Sequence, residues 1–332
     1  MSKFKIAAVF ATAALALGAC GGGGSGDASA DAGSGPPKLK QKNSYTVGFA
    51  AQQSDHPWTL ALARSIQDEA QKRGHKIVFT DAQGQTAKQV QDVESLIAQG
   101  VDAILITPRE EGPLARAVIK ARDAGIPVFL IDRSVDSSVA QAGRDYVTFI
   151  GSDFVAEGRK AGEWLVKAAG GKGKILELSG TTGSSAAKDR AEGFREAVKG
   201  TELEIVATQD GDFVRDKGRQ KMEAMIQQHP EATVVFAHND EMALGAITAL
   251  EAAGRRPGKD VTVVSIDGQK EALQAIIDGK LGATVECNPR FGPKAFDVLE
   301  AYGRGEKVET TMVNDDAFFD ASNAATALPN AY

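Results

Sequence analysis

Histidine, cysteine and aromatic side chains are scarce in these 332 residues: four, two and 6% respectively. The four histidines, His56, His75, His229 and His238, show no metal-ligand spacing, so nothing points to a His-built metal centre. No GxxxxGK[ST] phosphate loop and no GxSxG elbow occurs, and "GGKGK" (170–174) precedes an apolar strand instead of following one. Cys287 has no evident catalytic partner, and nothing in the sequence asks for an enzyme, a metal or a cofactor. Excess positive charge is also missing. The net charge is −6 with no long basic run, which argues against nucleic acid as a partner. Cys20 and Cys287 lie near opposite ends of the chain, so a structural disulfide between them is not expected. Beyond the first twenty residues no apolar run is long enough to cross a bilayer.

The start of the chain has a different character. "MSKFK" carries two lysines and is followed by the apolar run "IAAVFATAALALGA", too short to span a membrane comfortably. This reads as a signal peptide over residues 1–19. Its end, "LGAC" (Leu17–Cys20), resembles the lipobox of bacterial lipoproteins. That resemblance implies cleavage before Cys20, a lipid on its thiol, and a protein anchored in the periplasm or on the outer cell surface. The Gly/Ser/Ala/Asp tract that follows, "GGGGSGDASADAGSGPPK", has no apolar face to bury, so residues 20–43 read as a flexible tether. The fold is expected to start near Tyr45.

From there short apolar runs alternate with helical periodicity. "YTVGFA", "KIVFTD", "DAILITP" and "PVFLID" read as strands, with helices over 59–74 and 86–100 that each stop at a glycine. The pattern restarts with "KILELSG", "EIVATQD", "TVVFAHND" and "VTVVSIDG". Continuous apolar strands alternating with helices predict parallel sheets covered on both faces. About eight βα units fit two doubly wound α/β lobes better than one long sheet. In such sheets ligands bind beyond the carboxyl ends of the strands. Those ends carry Asp132 with Arg133, Asn239 with Asp240, and Asp267 with Gly268.

"LSGTTGSSAAKDRAEGFREAV", "GDFVRDKG", "VFAHNDEMALGAITALEAAG" and "SIDG" resemble the periplasmic monosaccharide-binding proteins of ABC importers, of the ribose- and galactose-binding type. "DRSVD", the "GDF…KG" element and "HND…GAI" look closest to the galactofuranose-binding branch. The resemblance implies a type I periplasmic binding protein: an N-terminal lobe of residues 44–151 plus 288–314, and a C-terminal lobe of 152–287 plus 315–325. A three-segment hinge would lie near 150–153, 285–289 and 313–316. The function implied is capture of a monosaccharide (galactofuranose-like, a pentose or a hexose) by a monomer that delivers it to a membrane permease. The alternative is a sugar-sensing module for a chemoreceptor or sensor kinase.

Carried over by position, the implied sugar contacts are His56, Trp58, Asp132, Arg133, Arg190, Phe213, Asn239, Asp267 and Cys287. A sugar hydroxyl both donates and accepts, so a neighbouring carboxylate and guanidinium satisfy it fully. Plainer roles stand beside these. Trp58 could be a packing aromatic, Arg190 a solvated helix charge, Phe213 a loop closure, and Asn239 or Asp267 a helix cap, with Asp240 the preferred cap. Glu157 and Glu163 read as solvated helix faces. Cys287 departs from the family, standing where ribose binders place a hydrogen-bonding Gln, and this leaves the identity of the sugar open.

Overall fold

The computed structural model describes residues 35–332. The expected signal peptide and lipidation site, Cys20, lie outside the described residues. Along the chain, β1 (Thr46–Ala51), α1 (Pro57–Lys72), β2 (Lys76–Asp81), α2 (Thr86–Ala98), β3 (Ala103–Ile106), α3 (Glu111–Asp123), β4 (Val128–Asp132) and β5 (Thr148–Gly151) build a first lobe. The chain then crosses into a second lobe. This contains α4 (Phe154–Ala168), β6 (Lys172–Ser179), α5 (Ser185–Val198), β7 (Glu202–Asp210), α6 (Arg215–Gln228), β8 (Val234–Ala237), α7 (Asp240–Ala252), β9 (Thr262–Asp267), α8 (Lys270–Ile277) and β10 (Ala283–Glu286). It returns through α9 (Gly292–Gly303), packed on α1, and β11 (Thr311–Val313). A third crossing leads to β12 (Phe318–Asp320) and the short α10 (Ala324–Ala327).

Each lobe holds a six-stranded sheet, ordered β11-β5-β4-β3-β1-β2 in the first and β12-β10-β9-β8-β6-β7 in the second. The first is parallel throughout. The second is parallel except for β12, which runs antiparallel to β10. This is the two-lobed, doubly wound α/β architecture expected. β3, β4 and β8 are buried along their whole length, as strands covered by helices on both faces must be. On α1, Leu62, Ile66 and Ala70 form the buried stripe. On α2 the buried stripe is Gln89, Val93 and Leu96, with Val90 and Ile97 half-buried at its margin.

Two boundaries differ from the sequence reading. The last part of the expected tether is packed. Leu39 is buried, Tyr302 donates its hydroxyl to the carbonyls of Pro36 and Pro37 at 3.1 and 3.0 Å, and Lys42 Nζ pairs with Asp102 at 2.5 Å. A backbone carbonyl can accept from a side chain distant in sequence, and composition alone hides such a contact. The second lobe also continues past residue 325. Lys270 N donates to the Tyr332 carbonyl at 3.0 Å, and the Tyr332 hydroxyl donates to the Asp267 carbonyl at 3.0 Å. Among the described residues no helix is long and apolar enough to cross a membrane.

Candidate functional site

The carboxyl ends of both sheets face one narrow space between the lobes. It is lined by Gln52, His56 and Trp58 after β1, Asp132 and Arg133 at the end of β4, Ala186 and Arg190 on α5, Phe213 after β7, Asn239 after β8, Asp267 ending β9, and Cys287 after β10. Every residue singled out from the sequence as a sugar contact is in this lining. Gln52 and Ala186 were not. Gln52 sits one position beyond a buried strand, where polar residues gather at a sheet edge, and that was the available signal.

The strand-end acids take strained backbone. Asp132 has φ 66°, and Arg133 N–H donates to the Ile131 carbonyl at 2.7 Å, closing a γ-turn around Asp132. Asp267 has φ 134°, while Asp212 and Phe213 have φ 56° and 60° in succession. Non-glycine residues in these regions cost about 1–3 kcal/mol each and persist where the surroundings fix them, often at ligand clamps.

Electrostatics inside the space are not balanced by the protein alone. Arg133 and Asp132 approach only to 3.6 Å, both buried, and Arg133 Nε and Nη1 have no protein hydrogen-bond acceptor. Burial pushes the Asp132 carboxyl up to about 6 and pulls the Arg133 guanidinium down to about 10, so desolvation outweighs their mutual attraction. The Arg133 guanidinium lies 4.7 Å from the centre of the Phe213 ring. Orphaned donors on a buried cation require an acceptor that enters from outside.

Arg190 is better provided for. It donates from Nε to Glu157 at 2.7 Å and from Nη1 to the His238 carbonyl at 2.6 Å, with Asp267 at 3.8 Å and the Phe154 ring beneath it at 5.0 Å. Glu157 is therefore no solvated face but a buried counter-ion, with burial raising its carboxyl to about 7. It follows Phe154 by three residues and precedes Ala161 by four on the buried stripe of α4, a periodicity that marked it as inward-facing.

The helix-cap assignment also changes. Asn239, not Asp240, caps α7, accepting from Met242 N at 3.0 Å while its Nδ2 donates to the Phe213 carbonyl at 3.2 Å. Asp240 is buried beneath, taking hydrogen bonds from Ser265 Oγ at 2.5 Å, Thr284 Oγ1 at 2.7 Å and Gln269 N at 2.8 Å. Trp58 donates from Nε1 to the Cys287 carbonyl at 2.7 Å, which sets its ring against the crossing after β10. Cys287 is buried, its thiol 3.7 Å from Ser152 Oγ and 4.0 Å from Asp132, and burial raises its pKa so that it stays protonated.

The lobes touch around this space. Glu111 N donates to the Gly183 carbonyl at 2.8 Å and Ser134 N to Ser185 Oγ at 3.0 Å. Lys188 Nζ meets Glu111 at 2.7 Å, and Arg109 meets Asp212 at 2.6 Å. The arrangement is closed.

Residues 47–307 match the family model of the periplasmic binding protein domain. The chain is 41% identical to the galactofuranose-binding protein YtfQ of Escherichia coli (strain K12), over 77% of this chain and 81% of that one. It is 38% identical to the ribose import binding protein RbsB of Bacillus subtilis (strain 168), over 83% and 88%. A crystal structure from Mycobacterium smegmatis in complex with beta-D-fucofuranose superimposes with a TM-score of 0.82 at 42% identity, covering 86% of this chain and 94% of that one. With its fold, its strand-end cleft and its sequence in agreement, the chain belongs to the periplasmic binding protein family.

Proposed function

We propose that the protein captures a monosaccharide between its two lobes and delivers it to an ABC-type importer, without making or breaking a covalent bond. The observation that carries this reading is the lining itself. Buried carboxylates, two guanidiniums, two amides and two aromatic rings converge from both lobes, and Arg133 Nε and Nη1 lack any protein acceptor. Hydroxyl groups that donate to Asp132 and Asp267 while accepting from Arg133 and Arg190 would give the Arg133 donors their acceptors, and C–H faces of a sugar suit Trp58 and Phe213. Neutral ligands with many hydroxyls answer this set; a single ion would satisfy only one sign of it.

A relative named for galactofuranose and a solved structure in complex with beta-D-fucofuranose support a five-membered ring as the cargo. A thermal-shift screen over pentoses, hexoses and inositols tests the reading. A ligand at one hundred times its Kd stabilises by about 2.7 kcal/mol, a clear rise in Tm. If no sugar raises Tm, the reading fails. Growth of a deletion strain on the best sugar separates import from sensing, since a sensor would leave uptake intact. We further propose that Cys20 carries a lipid anchor. Cys20→Ala should leave the fold intact and release the protein from washed membranes.

A further inference from the structure

The contact between Arg109 and Asp212 lies outside the pocket lining and joins opposite lobes. Arg109 follows β3 and Asp212 follows β7, yet Nη2 and Oδ1 stand 2.6 Å apart with side-chain exposures of 8% and 17%. Each end is fixed by its own lobe. Arg109 N donates to Gln89 Oε1 at 2.9 Å and Nη1 to Gln53 Oε1 at 3.2 Å. Asp212 accepts from Thr181 Oγ1 and from Lys217 Nζ, both at 2.6 Å, and its own N–H is held by Asp210 at 2.7 Å. The pair is thus presented rigidly from both sides, and little side-chain entropy opposes the bond when the lobes meet.

Position in the chain gives this contact a consequence for the ligand. Asp212 immediately precedes Phe213, and both hold φ near +60°. The Phe213 ring lies against Gly180, where a Cβ would fall 1.9 Å from the ring, and faces Arg133. A loop with two strained residues in succession keeps its shape only while its neighbours hold it.

We infer that Arg109 and Asp212 are positioning residues: their cross-lobe ion pair, formed only on closure, locks the Phe213 wall over Arg133 and holds the lobes shut without touching the ligand. This rests on the capture reading above. The pair adds to the time a ligand stays bound, and because each partner keeps ligands on its own lobe, neutralising either one leaves both lobes folded.

A cross-linking experiment tests the inference independently of which sugar binds. Ser134→Cys with Ser185→Cys, in full-length protein carrying Cys20→Ala and Cys287→Ser, places a thiol on each lobe beside the contact between the Ser134 backbone N–H and Ser185 Oγ. Disulfide formation without sugar then reports visits to the closed form. Arg109→Gln and Asp212→Asn should each slow trapping several-fold at unchanged Tm, and the double variant should be no slower than either single one, as expected of partners in one bond. Raising the salt concentration should slow the parent more than the variants. Rates indifferent to the charge at 109 and 212, or additive losses in the double variant, would overturn the pair's role. A failed sugar screen with charge-dependent trapping would instead count against the capture reading alone. With the best sugar of the screen, the parent with its native serines and Cys287 should release ligand several-fold more slowly than Arg109→Gln.

Discussion

Arg190 meets Glu157, the His238 carbonyl and Asp267 on its polar edges and Phe154 on its face, all within the protein. Removing one partner of a buried ion pair costs about 3–5 kcal/mol, because the other charge is left uncompensated. Glu157→Ala should lower the unfolding free energy by about that much in denaturant titrations. Glu157→Gln keeps an acceptor for Arg190 and resembles the protonated acid, so it should lose far less. Equal losses would mean that Glu157 contributes packing and not charge. The same burial gives the closed, sugar-free form a pH dependence. Asp132, raised to about 6, and Glu157, raised to about 7, hold protons more tightly than in an unfolded chain, where both titrate near 4. Their contribution to stability is complete below about pH 4 and is lost as pH rises through 6 to 7. Asp267 shifts the same way, burial again the main cause, while Arg133, Arg190 and Asp316 face Asp132 in opposing senses. Without sugar, small-angle scattering should show a smaller radius of gyration at pH 5 than at pH 8. A radius unchanged by pH would mean that these acids do not resist closure.

At the level of elements, α4 and α5 cross so closely that neither accepts a methyl group at the contact. A Cβ on Gly158 would lie 2.1 Å from the Arg190 carbonyl, and one on Gly193 would lie 1.9 Å from that of Val155. This approach seats Glu157 beside Arg190. Gly193→Ala should cost about 1–3 kcal/mol through overpacking and also weaken sugar binding, readable by denaturation and by calorimetry on the same sample. Wild-type affinity in that variant would show that the helix crossing does not set the site. The long elements were legible in the sequence because each repeats its signal: a continuous apolar strand, then a helix stripe ending at glycine. β5, β10, β11 and β12 were not recognised. They have three or four residues each and, unlike the equally short β3 and β8, none is an unbroken apolar run; they lie where the chain passes between lobes or at sheet edges. The pocket lining was readable because strand ends collect it and the family motifs number it. The second layer, Glu157 and the roles of Asn239 and Asp240, depends on which way a side chain faces within a loop or stripe; spacing carried that signal only for Glu157, which the sequence reading nonetheless placed on a solvated face.

For the whole molecule, closure controls what solvent can reach. Cys287 is 1% exposed with the lobes together, at the second crossing between them. In a Cys20→Ala protein a small thiol reagent should modify Cys287 faster without sugar than with saturating sugar. Equal rates would make it an ordinary core cysteine. The packed stretch from Pro36 to Lys42 has a different consequence. It is fastened by Tyr302 and Asp102, with Ser44 Oγ donating to the Gly74 carbonyl at 2.6 Å, so it runs past the amino ends of β1, β2 and β3, while the pocket opens at their carboxyl ends. That stretch therefore plugs the end of the first lobe opposite the pocket. Tyr302→Phe, which removes its hydroxyl anchor, should lower Tm and leave sugar affinity unchanged, and a fall in affinity would show that this far end is coupled to the pocket.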